Sequence, residues 1–477
     1  MSILAFIVGI GLPASCGWLL LRSVEGSTPT LLREERWAAG TVIGISMCMW
    51  VMFGTHVGLG IPLSRVGFVG TQLVLLCILG GLWRWRTPTG TTPSTTPTKR
   101  TPRWEYAVWA LLAIAVAKVI FASVTFLLLT PTYLDDTLDN WNLRGKVFYE
   151  DRALTLVMPG EDPETSPKGV SSYPPTVPLL KASLAAIAGE WSEPLVNSVH
   201  AVWYACAAVL VYATIRRRYA RRWALLTVYG FLSMPLGTMH GTNAYADVFV
   251  SVHVFLAALW TLDALQESDP ASRRSRFALA SIAFAALTFT KNEGLIVYLP
   301  PLLLITALGV AWAVRQREIL VQEAISLLAR VSVPLVVFAL PWLVFKWSHG
   351  LTFGNAKPFS TFDVYWRDGV LLAVGVNTFF EGNWLFLFPL LFTLLAWRWR
   401  AAWKTYLPLS AFFAIVYVGQ MTLFLFTNLS VEATMQTGYA RGIVQLLPTI
   451  VVLTGLLVAD AFGGQKTTSR SPKDDLR

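Results

Sequence analysis

Fifteen residues, TYLDDTLDNWNLRGK from Thr132 to Lys146, hold three carboxylates, two cations and a tryptophan, directly after the apolar run WALLAIAVAKVIFASVTFLLL. A carboxylate kept close to hydrocarbon is costly unless hydrogen-bonded or paired, and partial desolvation makes it a stronger base than one in bulk water. Asp135, Asp136 and Asp139 are therefore candidates for a general base acting on a hydroxyl at the water boundary. As a short amphipathic helix the segment sets Asp136, Asp139 and Lys146 near one face and leaves Trp141, Leu143, Val147 and Phe148 to sit at the interface. An interfacial helix with solvated acids has the same composition, so other parts of the chain must decide.

Several short motifs carry related chemistry. In SSYPPTVPLL, Pro174 and Pro175 fix two φ angles and push Tyr173 toward an extended conformation, which suits a rigid chain reversal at a cavity edge or a plain entry into a helix. GTNAYADVFV places Asp247 at a helix start, where the helix dipole favours a carboxylate. In FTKNEGLIV, Lys291, Asn292 and Glu293 interrupt a long apolar stretch that needs only a tight turn. Lys291 could hold a phosphate as a point charge, and Glu293 could fix that lysine or accept from a sugar hydroxyl. Arg441, in MQTGYARGIVQLLP, enters the last apolar run, and its fork suits phosphate oxygens as well as it suits snorkelling to an interface. Lys118 is a cation inside an apolar run. Glu381 and Asp363 are further outer acids. Trp141, Tyr173, Trp366 and Trp384 could stack on sugar rings or isoprenes, or serve an ordinary aromatic belt.

Other chemistries are not indicated. The five histidines are scattered, and no HExxH, CxxC, GxxxxGK[ST] or GxGxxG pattern provides a metal, nucleotide or dinucleotide site. Cys16, Cys48, Cys77 and Cys206 fall in apolar runs and read as buried free thiols.

The elements that must position these residues are membrane helices. Of 477 residues 55% are hydrophobic and 14% charged, well below the charged share of a soluble domain. Apolar runs long enough to cross about 30 Å of hydrocarbon recur from end to end, too long and too uniform for barrel strands. The expected crossings are about thirteen: 3–22, 37–54, 66–83, 105–129, 194–215, 222–239, 246–265, 276–290, 294–313, 325–347, 384–397, 405–427 and 443–460. The first run lacks a basic leader region and reads as a retained helix. The net charge of +10 is concentrated in alternate short loops such as RRRYARR, ASRRSR and RWRAAWK, a topology signal and not a nucleic-acid surface. Those loops are then cytoplasmic, and every polar motif above lies on the opposite face, around one cavity with a large first outer loop containing interfacial helices. The chain divides into a three-helix membrane unit over 1–86 that looks appended, a Thr/Pro-rich cytoplasmic linker over 87–103, a membrane body over 104–462 and a cytoplasmic tail over 463–477.

The order DDTLDNWNLRGK, YPP, NAYAD, TKNEG and an arginine ahead of the final helix resembles the bacterial membrane glycosyltransferases of the GT-C superfamily, which include protein O-mannosyltransferases, lipid A aminoarabinose transferases and rhizobial core-oligosaccharide transferases. The resemblance implies an all-α multi-pass protein of the bacterial plasma membrane. It implies a polyprenyl-phosphate-linked sugar as donor, a glycan, lipid or protein acceptor on the outer face, and an acid of the first large outer loop as base. Asp136 matches that acid best because it stands five residues before Trp141, as in related DAWxIW sequences; Asp135 and Asp139 depart from the pattern and leave the choice open. Lys291 and Arg441 are candidates to hold the departing phosphate, with Trp141, Tyr173, Asp247, Asn292 and Glu293 around the substrates. The expected reaction is an inverting, metal-independent transfer, with a divalent cation against the phosphate as the alternative. A transporter or flippase of lipid-linked saccharide should instead show broken helices near the midplane, which the body sequence does not display. A ligase or polymerase of lipid-linked glycans should carry its long outer loop late in the chain.

Overall fold

The computed structural model describes residues 2–26, 29–86, 103–161, 169–353 and 362–463; the proposed linker, apart from Arg103, and all but the first residue of the proposed tail lie outside them. Among these residues the regular secondary structure is helical, apart from one isolated bridge between Val364 and Thr427. In order the helices are α1 (Ser2–Glu25), α2 (Arg33–Leu59), α3 (Arg65–Arg86), α4 (Trp104–Ser123), α5 (Leu143–Asp151), α6 (Thr176–Ala188), α7 (Glu193–Arg218), α8 (Arg221–Ser233) and α9 (Pro235–Gly241). There follow α10 (Asp247–Gln266), α11 (Pro270–Leu287), α12 (Leu299–Arg315), α13 (Val321–Ser348), α14 (Val370–Phe379), α15 (Leu387–Trp397), α16 (Leu407–Phe426), α17 (Ser430–Thr434) and α18 (Gly438–Phe462). Wider π-turns extend α4 to Leu129, lead into α5 over Thr137–Asn142 and open α12 over Gly294–Tyr298.

Ten helices among the described residues are long and apolar enough to cross a membrane: α1 to α4, α7, α10, α12, α13, α16 and α18. Three expected crossings take another form. The 222–239 stretch divides into α8 and α9 at Pro235, whose ring removes a backbone donor. The 276–290 stretch belongs to α11, which starts in the arginine-rich PASRRSR segment.

The third expectation, 384–397, becomes α15, which follows a second short apolar helix, α14. The Tyr365 amide, ahead of α14, donates to the Phe426 carbonyl, and α15 ends where Arg398 pairs with Asp460. At 10 and 11 residues these helices are about 15 and 16 Å long, each too short to cross alone. Between them Gly382 and Leu385 take positive φ values of 76° and 48°, and Glu381 lies in the same connection.

α10 and α18 form the centre and are buried along almost their whole length. The first helices are not peripheral. A Cβ at Gly17 or Gly44 would run into the facing backbone, so glycine there lets α1 and α2 touch closely. α2 then joins the body through a 2.7 Å hydrogen bond between Ser46 and His253 and through Trp50, which stacks on Phe338 and donates to its carbonyl at 2.9 Å. At one end of the bundle Arg217 joins Glu35 of α2, at 3.1 Å, to Asp263 of α10, at 2.7 Å. All four cysteines are free; Cys77 is exposed on α3, the others buried.

Candidate active site at the opposite end of the bundle

The segments carrying the acidic motif, YPP, NAYAD, TKNEG and Arg441 meet at the end of the bundle away from the arginine-rich loops. Their hub is Asp247, in the first turn of α10 and fully buried. One carboxylate oxygen accepts from Lys291 at 3.1 Å and from the Gln445 amide at 2.7 Å. The other accepts from Arg441 Nε at 3.1 Å and faces His240 Nδ1 at 3.4 Å. A buried carboxylate is tolerable only with such partners.

Lys291 is delivered by the tight turn between α11 and the π-turn at 294–298. The Gly294 amide donates to the Lys291 carbonyl at 3.0 Å, and a Cβ at Gly294 would press on the Leu287 carbonyl at 2.5 Å. The ammonium also pairs with Glu293 at 3.3 Å and lies over the rings of Tyr173 and Trp141, at 5.6 and 5.9 Å. Burial alone would pull this lysine down, but the Asp247 and Glu293 carboxylates more than offset it and hold the group well above the ordinary lysine range. Burial, and then the Glu293 charge, raise the Tyr173 phenol, so it stays a neutral donor.

Arg441 bridges the two acids most important to the reading. Its Nη2 donates to Asp136 while its Nε holds Asp247, and its guanidinium stacks over Tyr245 at 5.4 Å. Asp247 is inaccessible, whereas the Asp136 side chain is 32% exposed and that of Arg441 29%. Asp135 and Asp139 are exposed; Asp135 caps the Asp136 amide at 2.7 Å, and Asp139 has no hydrogen bond or ion pair among the described residues. The acidic turn is anchored from beneath by fully buried Lys181, which donates to Asn142 at 2.5 Å and Asn197 at 3.0 Å, both of which donate to the Thr132 hydroxyl. Burial pulls that lysine to about 7.

The sequence-derived candidates thus gather in one place, but several take roles other than expected. Trp141 is only 1% exposed and lies beneath Lys291, which leaves its ring no face for a sugar. Trp384 is buried and donates to the Asn377 carbonyl at 2.9 Å, while Trp366 is half-exposed on Phe426. Asn292 is buried and accepts from Lys346 at 3.3 Å; Glu293 keeps a third of its side chain exposed. Glu381 is outside the cluster and accepts from Asn383 at 2.8 Å, and Asp363 is exposed. Lys118 is exposed on α4. Sequence reasoning missed His240, Tyr245, Tyr298, Lys181 and Gln445; Gln445 alone carried a signal, standing four residues after Arg441 on the same face of α18. No group of three or more acidic, histidine or cysteine side chains that could hold a metal occurs among the described residues.

The family model of the dolichyl-phosphate-mannose-protein mannosyltransferases matches residues 172–344, which include YPP, NAYAD and TKNEG. No curated protein matches the chain in sequence. Among solved structures, ArnT from Cupriavidus metallidurans bound to undecaprenyl phosphate aligns at a TM-score of 0.50 and 15% identity over 75% of this chain, and its apo state at 0.48 and 15% over 74%. The chain spans 60% of the length of the protein it matches there. The fold is similar to that of ArnT in its undecaprenyl phosphate complex.

Proposed function

We propose that the protein transfers a sugar, with inversion, from a polyprenyl-phosphate donor to an acceptor hydroxyl on the extracytoplasmic face of a bacterial plasma membrane. The observation that carries this reading is the shared guanidinium: Arg441 is fixed by buried Asp247 on one side and holds the accessible Asp136 on the other. A carboxylate paired with arginine is a poor base. A donor phosphate reaching Arg441 takes over the Nη2 position and sets Asp136 free. Asp136 then removes the acceptor hydroxyl proton, the oxygen forms a bond to the anomeric carbon, and the carbon–oxygen bond to the phosphate breaks. The polyprenyl phosphate leaves with the bonding pair, and Arg441 and Lys291 stabilise its charge. Glu293, partly exposed beside Lys291, is placed to accept from a sugar hydroxyl, and the ArnT complex with undecaprenyl phosphate supports a lipid of this class.

The test is transfer of labelled sugar from a panel of polyprenyl-phosphate sugars to a membrane extract, together with binding of polyprenyl phosphate, for wild type and Asp136→Asn. The variant should lose transfer and bind the lipid phosphate several-fold more tightly, because a competitor for Arg441 is gone. Retained transfer would move the base to Asp135 or Asp139, and a wild type inert toward every donor would remove the transferase reading. One observation favours a second reading: α14 and α15 are short apolar helices with Glu381 between them, and paired half-helices around a polar break are a feature of transporters. A wild type that moves lipid-linked sugar across vesicles without transferring it would establish that reading instead.

A further inference from the structure

Beneath the site a chain of buried side chains runs inward from Asp247 to a helix that contributes nothing to the cluster itself. Gln445 donates to Asp247 at 2.7 Å, the Tyr298 hydroxyl donates to the Gln445 amide oxygen at 2.7 Å, and the Gln420 amide donates to the Tyr298 oxygen at 3.1 Å. Tyr298 is fully buried, and Gln445 and Gln420 are 4% and 9% exposed.

The direction of every bond is dictated from the carboxylate end. An ionised carboxylate only accepts, so Gln445 must present its NH2 to Asp247 and its oxygen to Tyr298. That oxygen is satisfied only if the hydroxyl donates, which obliges the hydroxyl oxygen to accept from Gln420. A flipped Gln445 would set an amide oxygen against a carboxylate in a buried place where water cannot relieve the clash.

We infer that Tyr298, Gln445 and Gln420 are positioning residues, a directional relay that locks the Asp247 carboxylate so that Lys291 and Arg441 stay fixed while Arg441 exchanges Asp136 for a phosphate. The rate readout of this inference rests on the transferase reading; a second readout does not. Tyr298→Phe removes one oxygen and keeps the ring, and it should lower kcat about tenfold with donor KM within about twofold, less than the roughly hundredfold cost of losing a donor that touches the transition state, because Tyr298 acts through Gln445. Gln445→Leu should do the same, and the double variant should be no worse than the weaker single one. Losses that multiply, or an unchanged kcat in Tyr298→Phe, would overturn the relay.

The reaction-free readout is thermal unfolding of Tyr298→Phe, Asp247→Asn and their combination. Among the described residues the hydrogen-bonded path from Tyr298 to Asp247 runs through Gln445, so a relay makes the double variant less destabilised than the sum of the two, and strict additivity would refute it. An inactive wild type would remove the transferase reading but leave this cycle to decide the relay.

Discussion

The two ends of the bundle are built from the same chemistry and behave differently. At the arginine-rich end Asp263 is paired with Arg217, Arg218 and Arg276, and Arg217 also holds Glu35; both acids are almost wholly buried. At the other end Asp247 is just as buried, but its partner Arg441 extends a second edge to Asp136, which is a third exposed. The difference is one of degree: Arg276 also reaches Glu267 at 2.8 Å, with side chains 20% and 18% exposed, whereas Arg441 and Asp136 are 29% and 32% exposed and leave a cation whose partner a substrate can replace.

The comparison can be broken most forcefully at its two hubs. Asp247→Ala leaves buried Lys291 and partly exposed Arg441 without their shared carboxylate and should cost about 3 to 5 kcal/mol of stability together with all transfer; a folded, active variant would mean that Lys291 and Arg441 do not depend on it. Asp263→Asn should destabilise by a comparable amount in thermal unfolding, yet the folded fraction should keep wild-type kcat and KM. A selective loss of kcat there would mean the two ends are coupled.

A subtler contrast lies in Lys181, a buried cation held by two amides instead of a carboxylate. Burial lowers its pKa to about 7, below the unfolded value, so the folded state binds fewer protons between the two and its stability should rise as the pH climbs from about 7 to 9. Over that range wild type should gain about 2 kcal/mol relative to Lys181→Met, followed by denaturation at each pH; parallel curves would show that the lysine stays protonated in the folded state throughout. The smallest effect is expected at the exposed acids. Asp135→Asn and Asp139→Asn should each change kcat by less than about threefold, because neither touches Arg441, and a hundredfold loss in one of them would relocate the base.

Much of this was legible in the chain itself. Long apolar runs interrupted by short polar motifs give a multi-pass helical protein, and the sidedness of arginine-rich loops puts Asp136, Asp247, Lys291 and Arg441 at one end. What stayed hidden depends on distance and on burial. Asp247 reads as a helix-start charge until residues of α9, α18 and the 291 turn converge on it, and a side chain's partners some 200 positions away leave no local trace. Trp141 reads as a sugar platform because its sequence neighbours are polar, although it is sealed under Lys291. The form of one expected crossing also stayed hidden, because Pro235 divides that run into α8 and α9.

The pairing of Glu35 with Arg217 has a consequence for how the protein is made. Glu35 leaves the ribosome 182 residues before its partner, which at about 5 to 20 residues per second is a wait of roughly 10 to 40 s. During that interval α2 sits in the bilayer with an acid that has no arginine to meet. The Glu35 brace between α2 and the body therefore forms only after α7 has emerged.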